Sequence, residues 1–303
     1  MKIIRTVRGL QALADCERAA GQRIALVPTM GALHAGHLSL IDEARKRADV
    51  VVVSVFVNPA QFDDPSDYAG YPATFEADRD GCAQRGVNAI FAPPPEELYP
   101  EGAQTWVEVS ELARPLCGAA RPGHFRGVTT VVSKLLLAAK PHCAVFGQKD
   151  FQQLAVIRRM VRDLGFDVEI VGAPTVREPD GLAMSSRNVH LCPTGRRQAL
   201  AIVRALEAAE QAAVLGERCG DRILELVADE LATATLGEID YAELRDPTTL
   251  ELAPAELAGD VLLALAVRFR SEQTSDGEGH VRLIDNRVLP TGPVSRAMRR
   301  PSQ

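Results

Sequence analysis

Two histidines three residues apart, His34 and His37, close the run Pro28-Thr29-Met30-Gly31-Ala32-Leu33-His34-Ala35-Gly36-His37. Residues at that spacing share one face of a helix. The apolar run Ile24-Ala25-Leu26-Val27 precedes them, and Leu38, Ile41 and Ala44 recur after them at helical spacing, so the pair falls where a strand passes into a helix. A helix N-terminus has unbonded N–H groups and the positive end of the dipole, and it attracts anions. Imidazole N–H groups there donate to phosphate oxygens without the long stem of a lysine. Gly36 carries no side chain, so a base or ribose can come close to the backbone. A His-x-x-His pair in isolation is more often a pair of surface or metal-binding histidines. The strand and the glycine-containing turn before this pair favour nucleotide phosphates.

Three more polar clusters follow apolar runs. Phe56-Val57-Asn58-Pro59-Ala60-Gln61-Phe62 offers Asn58 and Gln61, uncharged donors and acceptors suited to a small polar ligand, or else a plain Asn-Pro turn. Phe146-Gly147-Gln148-Lys149-Asp150-Phe151-Gln152-Gln153 places Lys149 near a helix start, where it can meet a phosphate. In the same segment Asp150 is an expected N-cap, and Gln153 lies one turn in, aimed back toward a cleft. Arg177-Glu178-Pro179-Asp180-Gly181-Leu182-Ala183-Met184-Ser185-Ser186-Arg187-Asn188 presents two hydroxyls and a guanidinium to anionic oxygens, although either serine taken singly also reads as a cap. Gly123-His124-Phe125-Arg126-Gly127-Val128 precedes a helix and either caps it or lines the cleft. Asp67-Tyr68-Ala69-Gly70-Tyr71-Pro72, followed by Asp78 and Asp80, reads as a lid, as a turn near a magnesium ion, or as solvated and capping acids.

The elements that must position these clusters alternate strand and helix. Val50 to Val57 is an almost unbroken β-branched run, as a strand buried on both faces requires. Thr74 to Arg85 reads as a helix, Ala89 to Ala92 as a strand, Val128 to Ala139 as a helix, Cys143 to Phe146 as a strand, Asp150 to Leu164 as a helix and Asp167 to Val171 as a strand. The expected fold is α/β, a Rossmann-like doubly wound parallel sheet over residues 1–175, whose ligands gather at the carboxyl ends of its strands. From residue 176 to 290 the texture changes to two Ala- and Leu-rich helices (Thr194 to Leu215, Asp221 to Ala234) and three strand-like runs (Asp240 to Leu244, Val261 to Phe269, Val281 to Ile284), the mark of a smaller α+β C-terminal domain. Ser271 to His280 reads as a polar surface loop without catalytic effect. Residues 291–303 read as a mobile Arg-rich tail.

Composition narrows the functional class. Of 303 residues, 46% are hydrophobic and 24% charged, the profile of a globular protein with a full core. A formal net charge of −6 argues against a broad nucleic-acid surface. The six cysteines are scattered without a Cys-x-x-Cys pair, and no apolar stretch reads as a signal peptide or a membrane span. The expected setting is the cytoplasm, with no nucleic-acid or membrane partner.

In order and spacing, PTMGALHAGH, FVNPAQF, PGHFRGV, VFGQKDFQQL and REPDGLAMSSRN resemble the pantothenate synthetases, or pantoate–β-alanine ligases, of the nucleotidyltransferase superfamily marked by His-x-Gly-His. The resemblance runs from about Ile3 to Asn286. It implies ATP-dependent condensation of (R)-pantoate with β-alanine to pantothenate, AMP and pyrophosphate through a pantoyl adenylate, with ATP as a substrate, Mg²⁺ beside it and a homodimeric enzyme. It also implies site residues. Met30 to His37, Gly147 to Asp150, Val176 and Met184 to Arg187 bind ATP, with Ser185, Ser186 and Arg187 closing over the triphosphate from the second domain. His34 and His37 hold phosphates, His37 is the general acid, and Lys149 stabilises phosphate charge. Gln61 and Gln153 bind pantoate, Met30 and Asn58 line its pocket, and Gln61 borders the β-alanine site. Where family members often carry adjacent acids near the metal, this chain has Glu76-Ala77-Asp78, which leaves Asp78 as a metal ligand and ATP's own oxygens as the alternative. Other readings are a superfamily enzyme that transfers a nucleotidyl group to a phosphorylated acceptor, for which the paired glutamines have no evident use, and a non-catalytic nucleotide sensor, against which Lys149 and both histidines argue.

Overall fold

Strand β2 (Ile24–Thr29) runs through the middle of a six-stranded parallel sheet with β1 (Lys2–Ile4), β3 (Val50–Val55), β4 (Ala89–Phe91), β5 (Cys143–Gly147) and β6 (Glu169–Ala173), in the order β1-β4-β3-β2-β5-β6. The computed structural model describes residues 1–62, 68–72, 74–270 and 280–292. Asp67, most of the loop expected after Ser271, and residues 293–303 of the expected tail lie outside the described residues. The chain forms two units, residues 1–176 with 184–186, and residues 177–183 with 187–303.

In the first unit, Val50 to Val53 are buried without exception, as the β-branched run requires. Ala25 and Val27 join one core cluster with Ile41, Ala44, Val51, Val53 and Ile90, beneath helices α2 (Ala35–Arg45) and α3 (Phe75–Gln84). Ile24 and Leu26, also fully buried, point to the opposite face by the pleat of the strand. Two helices that touch β2, α1 (Val7–Ala19) and α4 (His124–Ala139), pack against one another there. Helix α5 (Phe151–Asp163) follows β5. The sequence reading anticipated neither β1 nor α1. It also started α4 four residues late, because Gly123 in the left-handed region stands directly before His124.

Pro28 does not end β2 as expected. The strand continues through Pro28↔Ser54 to Thr29↔Val55 alongside β3, whereas its register with β5 consists of Ala25↔Cys143 and Leu26↔Ala144. The carbonyl of Ile24 accepts from His142 on the β5 side, and that of Thr29 accepts from Phe56 on the β3 side. Pro28 is in phase with Ile24, so its missing N–H faces β5 where the ladder has already stopped. β2 and β5 therefore part at their carboxyl ends. This is also where the strand order reverses, the crevice in which open α/β sheets bind ligands.

In the second unit, helices α6 (Pro193–Gln198), α7 (Leu200–Leu215) and α8 (Gly220–Ala232) accompany an antiparallel sheet of β7 (Gly237–Arg245), β8 (Asp260–Arg270) and β9 (His280–Pro290), with β8 central. Val261 to Val267 are all buried, and Val261, Leu263, Leu265 and Val267 share a core cluster with Ile202, Leu206, Ile223 and Val227. The helix expected over Thr194 to Leu215 is two helices meeting at Ala199.

Candidate active site

The carboxyl end of β2 turns sharply. Thr29 Oγ1 donates to the carbonyl of Ser54 at 2.6 Å and accepts the N–H of Gly31 at 3.3 Å. Gly31 and Ala32 then take positive φ values of 91° and 50°, a conformation that costs an alanine energy unless its surroundings hold it. Asp78, 2% exposed, supplies that hold. Its carboxylate accepts the N–H of Ala32 at 3.0 Å and of Leu33 at 2.7 Å, and Thr74 Oγ1 lies within 3.3 Å of both oxygens. Both oxygens of Asp78, the residue expected as a magnesium ligand, thus hydrogen-bond to the turn. Among the described residues there is no group of three or more His, Cys, Asp or Glu side chains that could hold a metal ion.

The turn delivers His34 to the N-cap of α2. His34 Nδ1 accepts the N–H of Gly36 at 3.1 Å, and the N–H of His34 donates to His37 Nδ1 at 3.4 Å. A backbone N–H can only donate, so each Nδ1 is an acceptor and each neutral ring carries its proton on Nε2. The rings stand 4.2 Å apart. The pKa of His37 is lowered to about 4, first by burial and then by His34, with Lys149 lowering it further and Asp150 opposing. Ligand-free His37 is therefore neutral at pH 7 and presents an Nε2–H donor. Gly36 has a reason the sequence did not reveal. A Cβ there would lie 2.8 Å from Cε1 of His34, so the space belongs first to that ring and only then to a ligand.

Across the crevice, β5 ends at Gly147 and passes through a single 3-10 turn, Gln148–Asp150, into α5. Lys149 is half-buried, whereas Gln148 and Asp150 are exposed. Both Lys149 and Asp150 are close enough to His37 to shift its proton affinity, which ties this segment to the histidines. Asp150 occupies the N-cap position, but its side chain makes no capping bond, contrary to expectation. Gln153 is half-buried in the first turn of α5. Its neighbour Gln152 is buried and structural, accepting from Cys117 N–H at 3.0 Å and donating to the carbonyls of Leu112 and Pro115.

Beyond β3, Asn58 caps the 3-10 turn Pro59–Gln61, and its amide reaches Gln61, while Gln61 Nε2 lies 2.9 Å from Met30 Sδ. Gly127 of α4 packs directly on this turn. A Cβ there would come within 2.2 Å of the Ala60 carbonyl oxygen, so no larger residue fits. The carbonyl of Gln61 is contacted by His124 Nδ1 at 2.7 Å and by Arg121 at 3.2 Å. His124 therefore braces the Gln61 turn. Tyr99, which the sequence reading passed over, completes the cluster through Asn58. No local pattern marks Tyr99, because its partner lies 41 residues away.

The Met-Ser-Ser-Arg segment is anchored from both sides. In the second unit, Arg177 meets the buried Asp285 with two bonds of 2.7 and 3.1 Å, and Arg196 bridges Glu178 and Asp180 at 2.6 and 2.7 Å. Asn188 donates to Glu178 at 2.6 Å and to the Ala183 carbonyl at 3.1 Å. Exposed Arg187 belongs to this unit. Met184, Ser185 and Ser186 do not, contrary to expectation. They group with the first unit, where the N–H of Met184 donates to Val176 at 3.0 Å. Met184 Cβ lies 3.7 Å from where a Cβ on Gly36 would stand, so Met184 flanks the His34–His37 segment.

The site thus assembles His34, Gly36, His37, Lys149, Asp150 and Met184 around the parted ends of β2 and β5, with Met30, Asn58 and Gln61 close by. The family profile described as pantoate-beta-alanine ligase matches residues 2–288. The pantothenate synthetase of Geobacter sulfurreducens is 52% identical over 95% of this chain and 99% of its own length. That of Salinibacter ruber is 49% identical over 97% and 99%. A crystal structure of pantothenate synthetase from Thermus thermophilus is similar with a TM-score of 0.86 at 44% identity, covering 97% of this chain and all of that one. The ligase from Francisella tularensis, complexed with beta-gamma ATP and beta-alanine, is similar with a TM-score of 0.74 at 34% identity, covering 95% and 97%. This chain belongs to the pantoate–β-alanine ligase family.

Proposed function

We propose that the enzyme condenses (R)-pantoate with β-alanine at the expense of ATP, through a pantoyl adenylate. The observation that carries this reading is the paired capping of His34 and His37, which presents two Nε2–H donors at a helix N-terminus where the central strands part. In the first half-reaction a carboxylate oxygen of pantoate attacks the α-phosphorus, and the bond from that phosphorus to the pyrophosphate oxygen breaks. In the second, the amine of β-alanine attacks the acyl carbon, loses a proton, and AMP leaves. Adenylation replaces an oxygen that cannot leave by one that can, so no enzyme nucleophile is needed. Catalysis then rests on in-line positioning and on neutralising phosphate charge.

In this reading Met30 to His37, Gly147 to Asp150, Val176 and Met184 to Arg187 bind ATP, and Lys149 stabilises phosphate charge. Gln61 and Gln153 hold pantoate in a pocket lined by Met30 and Asn58, and Gln61 also borders β-alanine. His37 starts as a neutral donor. Approach of the polyphosphate raises its proton affinity, and only then can it serve as the proposed general acid. The engagement of Asp78 with the turn fits magnesium arriving on ATP's own oxygens. No described helix is long and apolar enough to cross a membrane. No disulfide joins any of the six cysteines, which suits the reducing cytoplasm. A homodimer is proposed on the family likeness alone and is checked by light scattering.

The decisive experiment measures AMP formation from ATP with pantoate, with and without β-alanine. AMP and pantothenate should appear when both acids are present. ATP binding without AMP formation would reject the ligase reading and leave the nucleotide sensor. AMP-free transfer to a phosphorylated acceptor would favour the other superfamily activity.

A further inference from the structure

Asn58 is 1% exposed, and the donor and acceptor capacity of its side chain is fully matched. Its Nδ2 donates to the carbonyl of Gly127 at 3.1 Å and to Gln61 Oε1 at 3.0 Å. Its Oδ1 accepts the N–H of Ala60 at 3.3 Å and the hydroxyl of Tyr99 at 2.8 Å. Two of these partners are backbone groups with only one possible polarity. The Gly127 carbonyl must accept and the Ala60 N–H must donate, so the orientation of the Asn58 amide is settled. The orientation propagates outward. Gln61 has to turn Oε1 toward Asn58, which leaves Nε2 as its outward-facing end. The present neighbour of that N–H is Met30 Sδ at 2.9 Å, and a thioether is a weak acceptor that an anionic oxygen readily outcompetes.

We propose that Tyr99 is a positioning residue for the acid substrate: its hydroxyl holds Asn58, and Asn58 holds Gln61 with a hydrogen-bond donor toward the ligand's carboxylate or hydroxyl oxygens. The proposal rests on the functional reading above. The shortest of the four bonds to Asn58 is the one from Tyr99, and without it Oδ1 keeps a single 3.3 Å contact. Tyr99 is itself immobilised. Its ring stacks on Phe56, lies near Trp106, and carries the Lys134 ammonium 4.1 Å from its centre. Burial raises its pKa to about 12, so the hydroxyl remains a donor across the working pH range.

The test is steady-state kinetics on Tyr99→Phe, which removes one oxygen and retains the ring contacts. The KM for pantoate should rise about 3- to 10-fold, the effect of one hydrogen bond, while the KM for ATP and kcat stay near wild type. In a Gln61→Ala background the same substitution should add nothing to the pantoate KM, because its effect passes through Gln61. Independently of Tyr99, Gln61→Glu keeps the acceptor toward Asn58 but replaces the outward donor by an acceptor, and should raise the pantoate KM more than Gln61→Ala does. Equal changes for pantoate and ATP, additive effects in the double variant, a lowered melting temperature with unchanged pantoate KM, or better tolerance of Glu than of Ala at position 61 would each overturn the proposal. If wild type still makes pantothenate in those cases, the functional reading stands. A wild type that forms no AMP with pantoate overturns both.

Discussion

His34 and His37 are locked to one another through the backbone: the N–H of His34 donates to Nδ1 of His37, and the rings lie 4.2 Å apart. Together with the Gly36 bond to His34, this turns both Nε2–H groups into preset donors. Preorganised donors lose little on meeting developing charge, which is why they are effective at phosphates. His37→Ala should therefore slow adenylate formation by about 10²-fold. Single-turnover quench experiments measure it, and near-normal rates would remove His37 from the mechanism.

The lowered pKa of His37, about 4 against an ordinary 6.5, makes a pH prediction. Between these values the unfolded chain holds more protons on this residue than the folded one. Stability from His37 is therefore complete above pH 6.5 and declines as pH falls toward 4, by at most about 3 kcal/mol. Urea unfolding across that range, with His37→Gln as reference, should show a shallower acid loss in the variant. In NMR titrations, ATP should move the His37 midpoint upward; a midpoint near 6.5 in the free protein would contradict the burial argument.

Gly36→Ala tests whether the glycine serves the histidine ring. The added methyl would overlap His34 Cε1, displacing the imidazole and breaking its bond to Gly36. The KM for ATP should rise about tenfold or more, as when a cap and a phosphate donor are lost together. A crystal structure of the variant with an unmoved His34 would show that the glycine is needed only by the ligand.

Asp78 distinguishes a brace from a metal ligand. Asp78→Ala leaves the N–H groups of Ala32 and Leu33 without their acceptor, and should cost about 2 kcal/mol or more in stability and raise the KM for ATP. Asp78→Asn, which keeps one acceptor, should fall between Ala and wild type. The Mg²⁺ concentration for half-maximal activity should not change in Asp78→Asn, and a marked rise would identify Asp78 as a ligand.

The bond from Arg177 to Asp285 anchors the loop that leads into Met184. Asp285 is 3% exposed, so Asp285→Ala would strand a guanidinium beside the core of the second unit. A loss of about 3 kcal/mol is expected, read as a lower melting temperature for the transition of that unit. An unchanged melting curve would show that the pair contributes nothing net.

The readable part of this protein was whatever is encoded in short stretches. Val50 to Val57 declares a strand buried on both faces through its β-branched side chains, although the strand itself ends at Val55, and the amphipathic spacing after His37 declares a helix. The placement of polar clusters after successive strands points to the carboxyl edge of a parallel sheet. The five motifs, taken in order, indicate the family without any coordinates. The remaining features depended on partners far apart in the chain. Asp78 looked like an acid in a helix start, and only packing of α3 against α2 carries it to Ala32, 46 residues away. Tyr99 has no local signature, and becomes informative once Gly127 and Ala60 fix the polarity of Asn58 between them. Pro28 reads as a strand end until the divergence of β5 leaves its missing N–H without consequence. Side-chain periodicity and turn chemistry are local properties that a sequence displays directly. Hydrogen-bond polarity, the direction of a carboxylate and the proton position on an imidazole are set by neighbours that only the folded chain brings together.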